Sequence, residues 1–474
     1  MKNIEELVEF ALQLVATETG FSLSYIHKVI LRESLLENKK TYSKLAQENK
    51  YSESYIKFTV APRLWSLLSQ TLGEKVNKTN FLTLLEQKFI NHNHPQPTET
   101  ITAISTTGLT SSCYVLESPE GQVSLASRLY VERSACSSAS AERTLTRTLS
   151  PIEQTCYQEI LQPHTLIRIS APRKMGKTSL LARILDYGSS QNYHTVRLSL
   201  HQAGTQVFAS SDRFLRWFCT NVTRQLDFES RLNQYWDEDM GALINSTIYF
   251  QGYILKELSN PIILAIDGVD QLFEYPELAS DFFVLLRSWY EETKDSSVWQ
   301  KLRIVIAHAV EVYIPLPTHR SPFNVGLAIA LPTFSLEQVQ DLAQRHELQL
   351  TKSELEQLMR LTEGFPYLIR LALYQTARLK IPMQTLLQDA TRDTGIYKQH
   401  LQYQLWNLQQ HPKLADAFRK VLTAPMQLEI EVAFKLKSLG LVHLIDNQAT
   451  VSCELYREYF HNYFSDFPKV NDKG

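Results

Sequence analysis

Leu166-Ile-Arg-Ile-Ser-Ala-Pro-Arg-Lys-Met-Gly-Lys-Thr-Ser-Leu-Leu-Ala-Arg-Ile-Leu185 reads as a short apolar strand, a basic turn carrying Gly176-Lys177-Thr178, and an amphipathic helix. A strand that stops abruptly and feeds a helix N-terminus aims unpaired backbone N–H groups and the positive end of the helix dipole at one point. That order of parts describes a phosphate cradle. Lys177 adds a mobile cation, and Thr178 supplies a hydroxyl for Mg2+, which prefers oxygen ligands and leans on substrate phosphates. In the usual spacing, G-x-x-x-x-G-K-[ST], the first glycine is here Ala171, followed by Pro172, which has no N–H to offer. A left-handed backbone at Ala171 would cost about 1 to 2 kcal/mol. The turn is therefore expected to change shape, with Arg173 and Lys174 retaining phosphate attraction by charge, and with Met175 and Ser179 completing the loop. The plain alternative is a strand-turn-helix corner with a solvated basic turn.

Farther on, Pro261-Ile-Ile-Leu-Ala-Ile-Asp-Gly-Val-Asp-Gln-Leu-Phe273 is a continuous apolar run ending in acid, as expected of a strand buried on both faces of a parallel sheet. Its acid falls at the carboxyl edge, where open α/β sheets bind ligands. Asp267 is placed to hold Mg2+ through water, and Asp270 to orient or deprotonate an attacking water. Taken alone, a strand-ending aspartate can equally cap a turn; beside the Gly-Lys-Thr turn, the metal reading is preferred.

The chain has 474 residues, 44% of them hydrophobic, enough for about three domains with ample core. Its 48 basic and 50 acidic side chains argue against a general polyanion-coating protein, so any nucleic-acid contact must be local. The five cysteines, at 113, 136, 156, 219 and 453, form no C-x-x-C pair, which suits reduced thiols in a cytosol. An acidic, amphipathic N-terminus is wrong for a secretory signal, and no apolar run approaches the roughly 20 residues that span a bilayer. A soluble, cytoplasmic protein is expected, without membrane contact.

Residues 1–90 read as a helical module containing a helix-turn-helix: Leu45-Ala46, a polar turn near Asn49 to Tyr51, and a new helix capped by Ser52 that presents Ser54, Lys57 and Arg63. Twelve Lys/Arg against ten Glu in this stretch is a weak charge balance for a duplex-binding face. DNA contact, protein docking and a purely structural bundle all remain open. Residues 91–150, rich in Ser, Thr and Pro, read mostly as flexible linker. Within them Leu129-Tyr-Val-Glu-Arg133 is a short ordered island. Tyr130 or Val131 could pack on an adenine ring and Arg133 reach phosphate, or the island could be an edge strand. Residues 151–334 alternate strands and helices, which predicts a mainly parallel sheet covered on both faces. Residues 335–395 read as a helical lid interrupted at Gly364-Phe-Pro366. Residues 396–474 give helix, strand, turn, strand and helix, the outline of a winged helix with Asp446 to Gln448 at the hairpin tip.

With these segments in order, the chain resembles the AAA-like domain proteins common in cyanobacteria, near the STAND class of signalling P-loop NTPases. The likeness runs from Tyr130-Val-Glu-Arg133 through Ala171-Pro-Arg-Lys-Met-Gly-Lys-Thr-Ser179, Leu264-Ala-Ile-Asp-Gly-Val-Asp270 and Gly364-Phe-Pro-Tyr-Leu368 to Cys453-Glu-Leu-Tyr-Arg-Glu-Tyr-Phe460. Residues 1–90 resemble the helix-turn-helix that precedes such domains and accompanies vWA-MoxR conflict-system proteins. The resemblance implies a multidomain α/β nucleotide switch with ATP and Mg2+ held between the P-loop domain and the lid, and a winged helix that senses whether ATP or ADP is bound. It places Pro366 beside the adenine and makes Ala171 a family trait. The chain departs from the pattern at Asp267-Gly268, where relatives often carry Asp-Glu, and at Gln271, where many STAND proteins have a second acid. The strand Leu302 to Ala307 ends in His308-Ala-Val310, so that His308 stands in place of a Thr/Ser-x-Arg sensor. Slow hydrolysis is expected, because one carboxylate serves both metal and water or Asp270 acts alone.

Three functions follow from these readings. The first is an ATP-operated signalling switch that docks a protein partner through residues 1–90, with nucleotide-dependent homo-oligomerisation open. The second is a DNA-binding regulator or mobile-element or defence protein, in which Lys57, Arg63, Lys435 and Lys437 contact phosphate. The third is a non-hydrolysing scaffold.

Overall fold

The computed structural model describes residues 116–133, 151–309 and 321–466 continuously, together with 25–35, 40–48, 60–72 and scattered positions between 7 and 85. Two compact units divide the chain, Met1–Ser112 and Cys113–Gly474. In the first unit helices span Tyr25–Leu35, Tyr42–Glu48 and Ala61–Leu72, and Leu7, Ala11, Ile30, Leu31, Leu45, Ile56, Leu64 and Phe81 form its core. Of the residues read as its outward face, Ser54 and Lys57 lie outside the described residues. Arg63 falls within Ala61–Leu72, with its side chain also outside them.

The second unit is built on a five-stranded parallel sheet: β1 Thr165–Ser170, β2 His194–Ser199, β3 Ile262–Asp267, β4 Leu302–His308 and β5 Leu327–Ala330, in the order β2-β3-β4-β1-β5. Every residue of β3 and β4 is buried. Their side chains alternate between two cores. Ile263, Ala265, Val305 and Ala307 face the helix Lys177–Ser190, while Ile262, Leu264, Ile266, Leu302, Ile304 and Ile306 face an aromatic layer with Phe214, Phe218, Phe282 and Trp289. The period of two inside an all-apolar run is what a sheet covered on both faces demands. The strand order is the point that periodicity left undetermined, and it decides the site. β4 stands between β1 and β3, and the registers Ser170↔His308 and Asp267↔Ala307 bring the carboxyl ends of all three to one edge. This is a P-loop NTPase-like fold.

After β5 come helices Leu336–Arg345, Lys352–Thr362, Pro366–Leu379 and Met383–Gln388. Capping boxes at Ser335/Gln338 and Thr351/Glu354 set the first two starts, and Pro366, which needs no N–H donor there, occupies the first turn of the third. The chain then forms Lys398–Gln410, Pro412–Thr423, Ile430–Ser438, the antiparallel hairpin β6 Val442–Ile445 and β7 Gln448–Val451, and Glu454–Asp466. Asp446 and Asn447 turn the hairpin with φ of +48° and +62°, the left-handed pair favoured by these residue types. Helices at 276–295, 398–410 and 412–423, which no reading of the sequence above placed, complete the layers. No described helix is long and apolar enough to cross a membrane.

Candidate functional site

Where β1 ends, the loop does not strain Ala171. The left-handed positions are Lys174 at φ +66° and Gly176 at φ +97°, so the altered spacing moves the tight turn three residues on. Gly176 is needed for a second reason: a Cβ there would meet Arg133 Nη2 at 2.7 Å. Thr178 Oγ1 donates to Asp267 Oδ2 at 3.0 Å across the sheet edge, and Arg197 Nη2 donates to the same oxygen at 3.2 Å. Lys177 Nζ donates to Ala171 and Pro172 carbonyls at 2.8 and 2.9 Å. Burial pulls this ammonium down to about 8, against the opposing pull of Asp270 and Asp267.

A cleft of about 270 Å³ opens beside the loop, lined by Tyr130, Arg133, Lys174, Gly176, Lys177, Thr178, Ser179 and Pro366, together with residues 119–123, Phe334, Tyr367 and Arg370. Four cations, Arg133, Lys174, Lys177 and Arg370, face one acid, Glu120, in this lining. Burial lowers the Arg133 guanidinium, and its Nη1 is buried with no hydrogen-bond partner. Buried unpaired charge is costly, so this composition suits a polyanion. Lys174 Nζ lies 3.7 Å over the Tyr367 ring, joining the loop to the helix Pro366–Leu379 by a cation–π contact.

Residues 116–133 form a strap over the cleft, longer than the 129–133 island. Its 129–133 part belongs to no strand, Leu129 lying in a turn, which removes the edge-strand alternative. The strap is gripped largely through its backbone, so composition carried little sign of it. Val123 N–H donates to Ser179 Oγ at 3.0 Å, and Arg345 donates to the Arg128 and Tyr130 carbonyls at 2.9 and 2.6 Å. Arg370 reaches the Ser118 carbonyl at 3.1 Å, and Tyr367 Oη donates to Glu120 at 2.6 Å. Tyr130 Oη donates to Glu153 at 2.6 Å, and Arg183 lies 3.4 Å over its ring. Burial beside Glu153 raises the Tyr130 hydroxyl.

Other predicted residues point elsewhere. Asp270 Oδ1 accepts the Ala309 N–H at 3.0 Å. His308 is buried with its ring edge-on to Phe323, and its carbonyl accepts the Ala171 N–H at 3.4 Å; its backbone, not its ring, serves the loop. Arg173 N–H donates to Ser438 O at 3.1 Å and its guanidinium to Tyr403 Oη at 3.4 Å, so the first half of the loop faces the C-terminal helices. Pro172 and Met175 line a second, apolar cavity with Phe365, Gly440 and Val442. Gly364 is not in the cleft lining; its carbonyl accepts the Phe334 N–H at 2.8 Å just before the helix Pro366–Leu379 begins. Arg370, Tyr367, Gln122 and Arg197 were missed. Arg370 had a usable signal, since it follows Pro366 by four residues and so shares its helix face.

The Thr178 hydroxyl and the Asp267 carboxylate fit Mg2+ as a hard-oxygen pair. Among the described residues no three His, Cys, Asp or Glu converge as a metal cage. Water and phosphate oxygens would complete the shell.

Behind the strap, His346 is buried with neither ring nitrogen hydrogen-bonded, and burial beside Arg370 and Arg128 holds it down at about 4. Its folded value lies below its unfolded value, so the unfolded chain takes the proton first and stability falls as pH drops from 6.5 towards 4. At pH 5.5 this one group costs about 1.4 kcal/mol. Urea midpoints at pH 7.5 and 5.5 should differ less in His346→Leu than in the wild type; an equal difference would refute the assignment.

A family model described as an AAA-like domain matches residues 118–462, and one described as the vWA-MoxR associated protein N-terminal HTH matches residues 2–88. No curated protein matches the chain. Among solved structures it is similar to the Walker-type ATPase PABY2304 of Pyrococcus abyssi, at 14% identity over 65% of this chain and 94% of that one, with a TM-score of 0.46. It is also similar to the ORC2 protein of Aeropyrum pernix in its ADPNP–ADP complexes, at 13% identity over 66% and 94%, with a TM-score of 0.40. A third similar structure is domain III of the replication initiation protein DnaA of Thermotoga maritima, at 17% identity over 50% and 88%, with a TM-score of 0.32.

Proposed function

The chain belongs to the AAA-like domain family, and from that premise we propose that it is a STAND-like, ATP-operated signalling switch. ATP or ADP lies between the loop 171–179, the strap and the lid helix, with the triphosphate at Lys174, Lys177 and Arg133 and the base towards Tyr130 and Pro366. The observation that carries this reading is the contact of Thr178 with Asp267 at the mouth of a four-cation cleft. When bound, Mg2+ would be held by Thr178 and Asp267 and would neutralise charge on the phosphates. Turnover is slow in this reading, since Asp267 is engaged by Thr178 and Arg197 and Asp270 by the Ala309 amide.

The switch lies in the Arg173 amide, which donates to Ser438 of the C-terminal module, read as a winged helix. A loop re-formed around phosphate competes for that donor. Nucleotide state thereby reaches the C-terminal module, and residues 1–90 supply the surface that docks a protein partner. Protein docking is preferred to DNA on charge: of the C-terminal lysines assigned to phosphate, Lys435 is paired with Glu431 at 2.7 Å, and residues 1–90 carry twelve Lys/Arg against ten Glu. Hydrogen exchange with and without Mg-ATP tests the coupling. Exchange should fall at 173–179 and change at 436–444. Protection of the loop with no change in the C-terminal segment would defeat the switch.

A further inference from the structure

Arg197 has no place in the phosphate cradle, yet it holds the acid on which the metal reading depends. It sits on β2, one strand from Asp267, and Gln225 clamps its backbone through both N–H and carbonyl at 2.9 Å. One arm of the guanidinium meets Asp267 Oδ2 at 3.2 Å, and the other donates to Gln122 Oε1 of the strap at 2.7 Å. Asp267 is 6% exposed. A carboxylate so buried beside a triphosphate would repel it unless a cation stood between or beside them.

We propose that Arg197 is a built-in counter-ion for Asp267, which lets this site hold a nucleotide's phosphates without Mg2+. The inference rests on the nucleotide reading of the same cleft. Mg2+ binds oxygen at about 2.1 Å and sheds water reluctantly. At Oδ2 it would meet a guanidinium already competing for the same lone pairs and repelling it by like charge. The cation that most P-loop sites receive with their nucleotide is here partly supplied by the fold, and the advantage of adding Mg2+ shrinks accordingly. Through Gln122 the same side chain also ties the strap to the acid, so removing it loosens both.

The test is equilibrium binding of a fluorescent ATP analogue to the full chain in EDTA and in excess Mg2+. Wild-type affinities should agree within about threefold, while Arg197→Gln should lose about tenfold or more in EDTA, roughly 1.4 kcal/mol, and recover with Mg2+. Arg197→Lys, which keeps the charge but not the fork, should fall between. A tenfold dependence on Mg2+ in the wild type, or identical behaviour of wild type and Arg197→Gln, overturns the proposal while leaving nucleotide binding intact. Failure of the wild type to bind the analogue under either condition overturns the parent reading, and this one with it. Unliganded melting temperatures of the variants report whether each remains folded.

Discussion

Lys177→Ala should erase the stabilisation that ATP confers. A ligand present at about 100 times its dissociation constant adds roughly 2.7 kcal/mol to a protein that binds it only when folded, so the wild-type unfolding free energy in Mg-ATP should rise by that amount and its melting temperature with it. The variant should show no rise. Its stability without nucleotide should scarcely fall, because Lys177 is a part-buried ammonium that desolvation already disfavours and whose hydrogen bonds go to the Ala171 and Pro172 carbonyls. The contrast between an unchanged apo midpoint and a vanished ligand shift separates loss of a phosphate partner from loss of the fold. A variant that still gains stability from ATP would show that the cradle is not where the nucleotide binds.

Gly364→Ala acts through the backbone and should cost roughly 3 kcal/mol or more. Gly364 has φ +71°, and a Cβ there would stand 2.2 Å from the Phe334 carbonyl oxygen, a contact that cannot be relieved by turning a side chain. The same residue accepts the Phe334 N–H, so any shift opens the junction between β5 and the lid helix that carries Pro366, Tyr367 and Arg370. Urea unfolding should show a lower midpoint, and ATP affinity should fall with it. A wild-type midpoint would mean that the junction tolerates rearrangement.

Much of the fold was legible because burial leaves a strong mark. Ile262 to Asp267 reads as a doubly covered strand and is one, and the helix after Gly176 begins where the basic turn ends. The strand order was not legible, since an apolar run has the same composition wherever it lies in a sheet; only pairing shows β4 between β1 and β3. The site divides in the same way. Lys177, Thr178 and Asp267 carry a spacing tied to chemistry, and the structure brings them together. His308 was chosen by position at a strand end, and its ring instead packs edge-on against Phe323; position at a strand end does not say which way a side chain turns. The strap at 116–128 escaped because its order comes from backbone groups held by Ser179, Arg345 and Arg370 from distant parts of the chain. Pairings of that kind leave no local pattern.

The most direct test of a nucleotide between loop, strap and lid is photo-crosslinking with 8-azido-ATP, followed by mapping of the labelled peptide. Label is expected within 119–133 or 366–370, competed by ATP and absent from Lys177→Ala. Label confined to residues outside the cleft, or undiminished in Lys177→Ala, would contradict the account.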